Sequence, residues 1–139
     1  MQVYYLCQLP IKMVSKTEEI IYVEISEMDY LLICFVRALR IQKGVTQLQL
    51  SQRMKLADGF VSKVETFVER AKYSIRHLPL LAIALECDIK DVLPKQTPKY
   101  DQIRLTLRRT NKTNKDGSTS TKKMTEVVSI EPIDKKVIK

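Results

Sequence analysis

Apolar residues first recur with a helical period near residue 29. Leu32, Phe35, Val36 and Leu39 fall at three- and four-residue steps, one face of a helix that Gly44 ends where a left-handed C-cap is needed. Thr46-Gln47-Leu48-Gln49 then has capping-box spacing, with Thr46 as N-cap and Gln49 reaching back. Leu50 and Met54 give this second helix its buried face. After the turn Lys55-Leu56-Ala57, a third helix is predicted from Asp58, with Phe60, Val61 and Val64 as its apolar positions. A charged loop, Val68 to Ser74, leads to a fourth helix through Leu78, Leu81, Ala82 and Leu85, with Pro79 early where its missing N–H does least harm. A short helix from Ile89 to Leu93 closes the segment before Pro94.

The flanks follow other patterns. In residues 1–28, Ser15-Lys16-Thr17-Glu18 has capping-box spacing, while Ile21-Tyr22-Val23-Glu24-Ile25 alternates and is β-branched, so helix and strand both stay open. Beyond Pro94, residues 99–109 alternate with Ile103, Leu105 and Leu107 on one face. Residues 110–121 are polar, and Val127, Val128 and Ile130 form a second apolar stretch. Two strands around a long polar loop is the simplest account, with a flexible basic tail as the other. The organisation expected is an extension at 1–28, a helical domain at 29–93 and a tail at 94–139.

Charge sharpens this picture. Residues 1–93 carry 12 Lys and Arg against 11 Asp and Glu, whereas residues 94–139 carry 12 against 5. A basic segment on a near-neutral one suits a polyanionic partner. The three cysteines form no CxxC pair and there is one histidine, so neither a disulfide framework nor a metal site is expected. No apolar run reaches the ~20 residues of a membrane span, and the N-terminus lacks a basic region before its apolar part. A cytoplasmic chain with no cofactor and no membrane partner is the expectation. Nor is there a nucleophile–base constellation, so an enzyme is not expected.

Two short helices joined by a tight turn, the second free to enter a groove, is the helix-turn-helix design. Leu50 and Met54 on one helix and Val61 and Val64 on the other can pin the pair at a fixed angle. Asp58, Ser62 and Lys63 lie on the opposite, polar side. Val36-Arg37-x-Leu39-Arg40, Lys43-Gly44-Val45-Thr46-Gln47-x-x-Leu50-Ser51, Val61-Ser62-Lys63-Val64-Glu65 and Leu81-Ala82-x-Ala84-Leu85 fall in order along residues 30–93. In this the chain resembles the XRE, or lambda-repressor and Cro-like, helix-turn-helix family.

The resemblance implies a mainly α chain: a five-helix lambda-repressor-like DNA-binding domain, with a C-terminal β-hairpin or flexible basic tail. It implies a transcriptional regulator, a repressor, that binds double-stranded DNA as a homodimer and reads the major groove with the helix near 58–66. On matching positions, Gln47 would contact the DNA backbone and brace the recognition helix. Asp58, Gly59, Ser62 and Lys63 would face bases, and Arg40 and Glu65 would form a structural ion pair. Arg70, Lys72 and Arg76, in and after the charged loop, form a cluster placed to meet phosphates. The chain departs from the family at Lys55, where a turn glycine is usual, and at Ala57, where a Ser or Thr cap is usual. Asp58-Gly59 replaces residues that often donate to bases, and the loop after Glu65 is longer. Read from its residues alone, Asp58 takes over the cap of the third helix. The competing reading is a protein-interaction module, such as an antitoxin or adaptor, that uses the basic tail.

Overall fold

The computed structural model describes residues 18–133 and 138. Its elements are β1 (Glu18–Ser26), α1 (Glu27–Gln42), α2 (Gln47–Arg53), α3 (Phe60–Glu65), α4 (His77–Ala84), α5 (Ile89–Val92), β2 (Gln102–Thr113) and β3 (Thr119–Pro132). The strands form one antiparallel sheet in the order β1-β2-β3. By contact density the chain divides into two units. Among the described residues, one holds 18–23 with 105–131, the other 24–104 with 132–133 and 138. No helix among the described residues is long and apolar enough to cross a membrane.

The expectation of a mainly α chain is overturned: five helices, most of them short, stand beside a three-stranded sheet. The largest difference lies at the N-terminal side. The Ile21–Ile25 alternation is a strand, and it pairs with β2, a segment more than 75 residues away in sequence. Local pattern cannot show such a partner. Of the capping-box reading at Ser15-Lys16-Thr17-Glu18, residues 15–17 lie outside the described residues and Glu18 opens β1; α1 starts at Glu27. There Ser26 caps it, its hydroxyl accepting from Asp29 N–H at 3.0 Å.

The second difference is at the hairpin. The polar run 110–121 is mostly strand, leaving the tight turn Asn114–Ser118. Asn114 N–H donates to the Ser118 carbonyl at 2.8 Å and Gly117 takes a φ of +87°, the left-handed position of a three-residue hairpin loop. Thr and Lys suit an exposed ribbon, so polarity there marked solvent exposure and not the end of a strand.

Within the helical unit, Leu32, Ile33 and Val36 of α1, Leu50 of α2, Met54, Val61 and Val64 of α3, Leu81 and Ala82 of α4, Leu85 and Val92 form the core. Helix ends are closed by paired 6→1 and 5→2 bonds. After α1, Val45 N–H donates to the Arg40 carbonyl and Gly44 N–H to Ile41, with Gly44 at φ +69°. After α2 and α4 the same bonds form, but the left-handed residues are Lys55 (φ +57°) and Glu86 (φ +57°). A side chain in that conformation costs about 1–2 kcal/mol, offset in part by the extra chain entropy a glycine loses on folding. Lys55→Gly is therefore expected to raise stability by up to about 1 kcal/mol in urea unfolding, with the m-value unchanged. A loss of stability would show that the Lys55 stem contributes more than its backbone costs.

Candidate nucleic-acid interface

A helix of six or seven residues does not hold itself in water, so α2 and α3 depend on what they touch. Thr46 caps α2 through a full capping box: its hydroxyl accepts from Gln49 N–H at 3.1 Å, and Thr46 N–H donates to Gln49 Oε1 at 2.9 Å. The start of α3 has no cap from its own turn. Its N-cap is Gly59, without a side-chain bond, and Asp58 accepts instead from Gln52 Nε2 at 3.4 Å. The reading of Asp58 as helix cap is corrected here. The N–H of Val61 finds its acceptor on α2, in the buried Ser51 hydroxyl at 3.1 Å, which itself donates to the Gln47 carbonyl at 3.0 Å. A serine next to the apolar side of a helix carries no local sign of that task.

The end of α3 is tied as firmly. Arg40 Nε donates to Glu65 Oε1 at 2.9 Å and Arg40 Nη2 to Glu65 Oε2 at 3.0 Å. Arg40 Nη1 donates to the Val45 carbonyl at 2.9 Å, and Gln47 Nε2 also donates to Glu65 Oε2. Both charged side chains are buried. One carboxylate thus joins α1, the first residue of α2 and the last of α3. On the other side of α2, Arg53 Nη1 donates to the Ala84 carbonyl at 3.1 Å, satisfying a group in the last turn of α4.

Aromatic packing supports the first turn of α3. Phe60 lies 5.0 Å from the His77 ring and 6.0 Å from Tyr73, centroid to centroid. His77 is buried, and its Nδ1 accepts from Ser74 N–H at 2.9 Å, which requires that nitrogen to be unprotonated. Burial, and then the nearby Arg76, hold its pKa below the usual histidine value. The Tyr73 hydroxyl is buried with no hydrogen-bond partner among the described residues, and burial pushes its pKa well up. Burial also raises the Cys34 and Cys87 thiols, both half-buried, so neither is an activated nucleophile.

These ties leave one side of α3 bare. Asp58, Gly59 and Lys63 are exposed and Ser62 is half-exposed, while Val61, Val64 and Glu65 face inward. No heavy atom lies within 4 Å of where a Cβ on Gly59 would stand, so packing within the chain does not demand glycine there. Arg70 and Arg76 are exposed. Lys72 differs: it is half-buried, its Nζ donates to the Glu69 carbonyl at 3.3 Å, and burial lowers its pKa against the opposing pull of Asp29. Lys72 therefore spends part of its hydrogen-bonding capacity on its own loop.

No protein-family model and no curated protein matches the chain. Among solved structures, it is similar to a hypothetical transcription factor, NHTF, from Neisseria. That likeness has 25% identity over 50% of this chain and 79% of that one, with a TM-score of 0.44. It is also similar to the clp gene regulator ClgR from C. glutamicum, at 26% identity over 47% of this chain and 82% of that one, with a TM-score of 0.40.

Two outcomes follow from the buried polar groups. Glu65→Ala strands the buried Arg40 guanidinium and should cost about 3–5 kcal/mol in denaturant unfolding. Replacing both partners, Arg40→Met with Glu65→Leu, should cost much less; equal losses would mean that the pair itself, and not the stranded charge, carries the energy. For His77, the unfolded chain binds its proton more readily than the folded one, so stability should be full above pH ~6.5 and fall as pH drops below it. The chain has one histidine, so a single imidazole resonance reports it by NMR. A midpoint above 6.5 would contradict the buried, proton-free ring.

Proposed function

We propose that the helical unit binds double-stranded DNA as a sequence-specific transcriptional regulator, acting as a repressor and as a homodimer. The observation that carries this reading is the division of α3 into two sides. Its inner side is held by Val61, Val64, the Ser51 bond and the Glu65 cluster. Its outer side, Asp58, Gly59, Ser62 and Lys63, is free of packing duties. A short rigid helix with a bare polar side, braced by the helix before it, is what major-groove readout requires.

In this reading Lys63 donates to a base edge or a phosphate. Ser62 can donate or accept, and Asp58 accepts from a cytosine amino group. Gly59 lets the backbone approach closely. Gln47 uses one Nε2 hydrogen on Glu65 and keeps the other for a phosphate, so one side chain links backbone contact to the recognition helix. Arg70 and Arg76 meet flanking phosphates, with Lys72 contributing less because its loop already engages it. A protein-interaction module remains the alternative function, and the basic residues of the β2–β3 hairpin would serve it.

The test begins with selecting bound sequences from a random duplex pool and measuring affinity across salt. Several phosphate contacts give a steep fall of affinity with salt. Lys63→Ala should cost about 1–3 kcal/mol and relax sequence preference if it reads a base, whereas Arg70→Ala should lower the salt slope by about one without changing preference. A wild-type chain that enriches no sequence and shows no salt-dependent DNA binding would refute the reading.

A further inference from the structure

Charge is balanced in one part of the sheet and unbalanced in another. Arg104 of β2 lies 2.9 Å from Glu24 of β1. Arg108 lies 3.4 Å from Glu18 of β1 and also pairs with Glu126 of β3. Lys123 of β3 lies 3.9 Å from Glu19 of β1. Most of these glutamates belong to β1, which opens at Glu18. Past that level β2 and β3 run on as a ribbon of two described strands to the turn at Asn114–Ser118. On this ribbon Lys112, Lys115 and Lys122 are exposed and Arg109 is half-exposed. None of these cations pairs with a carboxylate among the described residues. The one acid of the ribbon, Asp116, is engaged in the turn. Its Oδ1 accepts from the Ser118 N–H at 2.9 Å and from the Ser118 hydroxyl at 2.6 Å. No apolar residue occurs from Arg108 to Lys123.

We propose that this ribbon is a second nucleic-acid contact, one that grips the phosphate backbone of double-stranded DNA through Arg109, Lys112, Lys115 and Lys122. Charge and composition select the occupant. Like charges gathered on paired strands oppose the pairing that brings them together, and phosphates remove that repulsion. A protein partner would look for an apolar or aromatic anchor, and the ribbon has none. Thr110 and Asn111, between the cations, can donate to phosphate oxygens. Shape agrees. Alternation puts Lys112 and Lys122 on the face that carries Arg108 and Arg109 on the other, so cations project from both sides. From Arg109 to Asn114 the ribbon spans about 17 Å, with its strands about 5 Å apart. The major groove, about 12 Å wide, admits such a ribbon and has phosphates on both rims. This contact carries no sequence information, because phosphates are alike at every base pair. The choice of duplex DNA among polyanions rests on the reading of α3 above; the cationic surface does not.

The test uses the full chain and a duplex of arbitrary sequence, with affinity read by fluorescence anisotropy from about 50 to about 200 mM salt. A triple variant, Lys112→Gln with Lys115→Gln and Lys122→Gln, should lower the salt slope by about two to three and weaken binding at least about tenfold. Its circular dichroism spectrum should match the wild type. Lys90→Gln with Lys95→Gln and Lys99→Gln removes the same charge from exposed positions of the helical unit and should leave the slope near that of the wild type. A hairpin variant with the wild-type slope overturns the proposal. Equal losses in both triple variants overturn it too, by showing an effect of net charge alone. A wild type that binds no duplex overturns it and leaves the ribbon to another acidic partner. A chain that binds arbitrary duplex through the ribbon yet enriches no sequence retains this proposal and loses the sequence-specific reading of α3. Enrichment of a sequence, with the slope unchanged in the hairpin variant, does the reverse.

Discussion

The Glu65 carboxylate is buried, and a buried carboxylate is costly unless its oxygens are occupied. Arg40 occupies both, and Gln47 adds a further bond to one of them. Because Arg40 also donates to the Val45 carbonyl, the turn between α1 and α2 is drawn into the same cluster. Such a pair is weak evidence for net stability, since apolar residues of similar shape often do as well. Its consequence is positional. Apolar contacts are tolerant of small slides and rotations, whereas a two-toothed guanidinium–carboxylate pair is not. The pair thus fixes the end of α3 against α1, and the Gln47 bond carries that constraint to α2, beside the apolar contacts of Leu50, Met54, Val61 and Val64.

Ser51 complements it at the opposite end of α3. With Glu65 holding the last residue and Ser51 holding the second, a six-residue helix is fixed at both ends by side chains from other elements. This explains how α3 dispenses with a cap of its own. It also frees Asp58 and Gly59, which would otherwise be engaged in closing the helix, to remain on the exposed side.

The sheet obeys a different logic. One side is apolar and buried at Ile25, Ile103, Leu105 and Leu107 and carries the exposed Glu19–Lys123 pair farther along, while the other mixes ion pairs with large exposed apolar groups. The buried Ile103, Leu105 and Leu107 fix which side of β2 faces inward, and Arg108 between two glutamates adds a modest preference for the same alignment.

How much of this was legible in the sequence differs by region. Residues 29–93 were legible because each helix there has its own local signals: three- and four-step apolar spacing, the Thr46–Gln49 box, and Gly44 in a left-handed turn. Lys55 and Glu86 take the same backbone conformation without glycine, which local pattern could not announce. The resemblance pointed to Arg40 with Glu65 and to Gln47 as a brace on the recognition helix, without naming Glu65 as the acceptor the two share. Ser51 gave no sign of its bond to Val61, because its partner is ten residues away across a turn. The mainly α expectation fails because β1 is a strand only by virtue of β2. A nine-residue alternating segment has no stable form alone, and its hydrogen bonds are completed by residues far along the chain. The sequence by itself thus determined the helices, whose bonds close within four residues. Only the tertiary structure decided the sheet, the cap on α3 and which polar groups stay free, because each of those depends on partners distant in sequence.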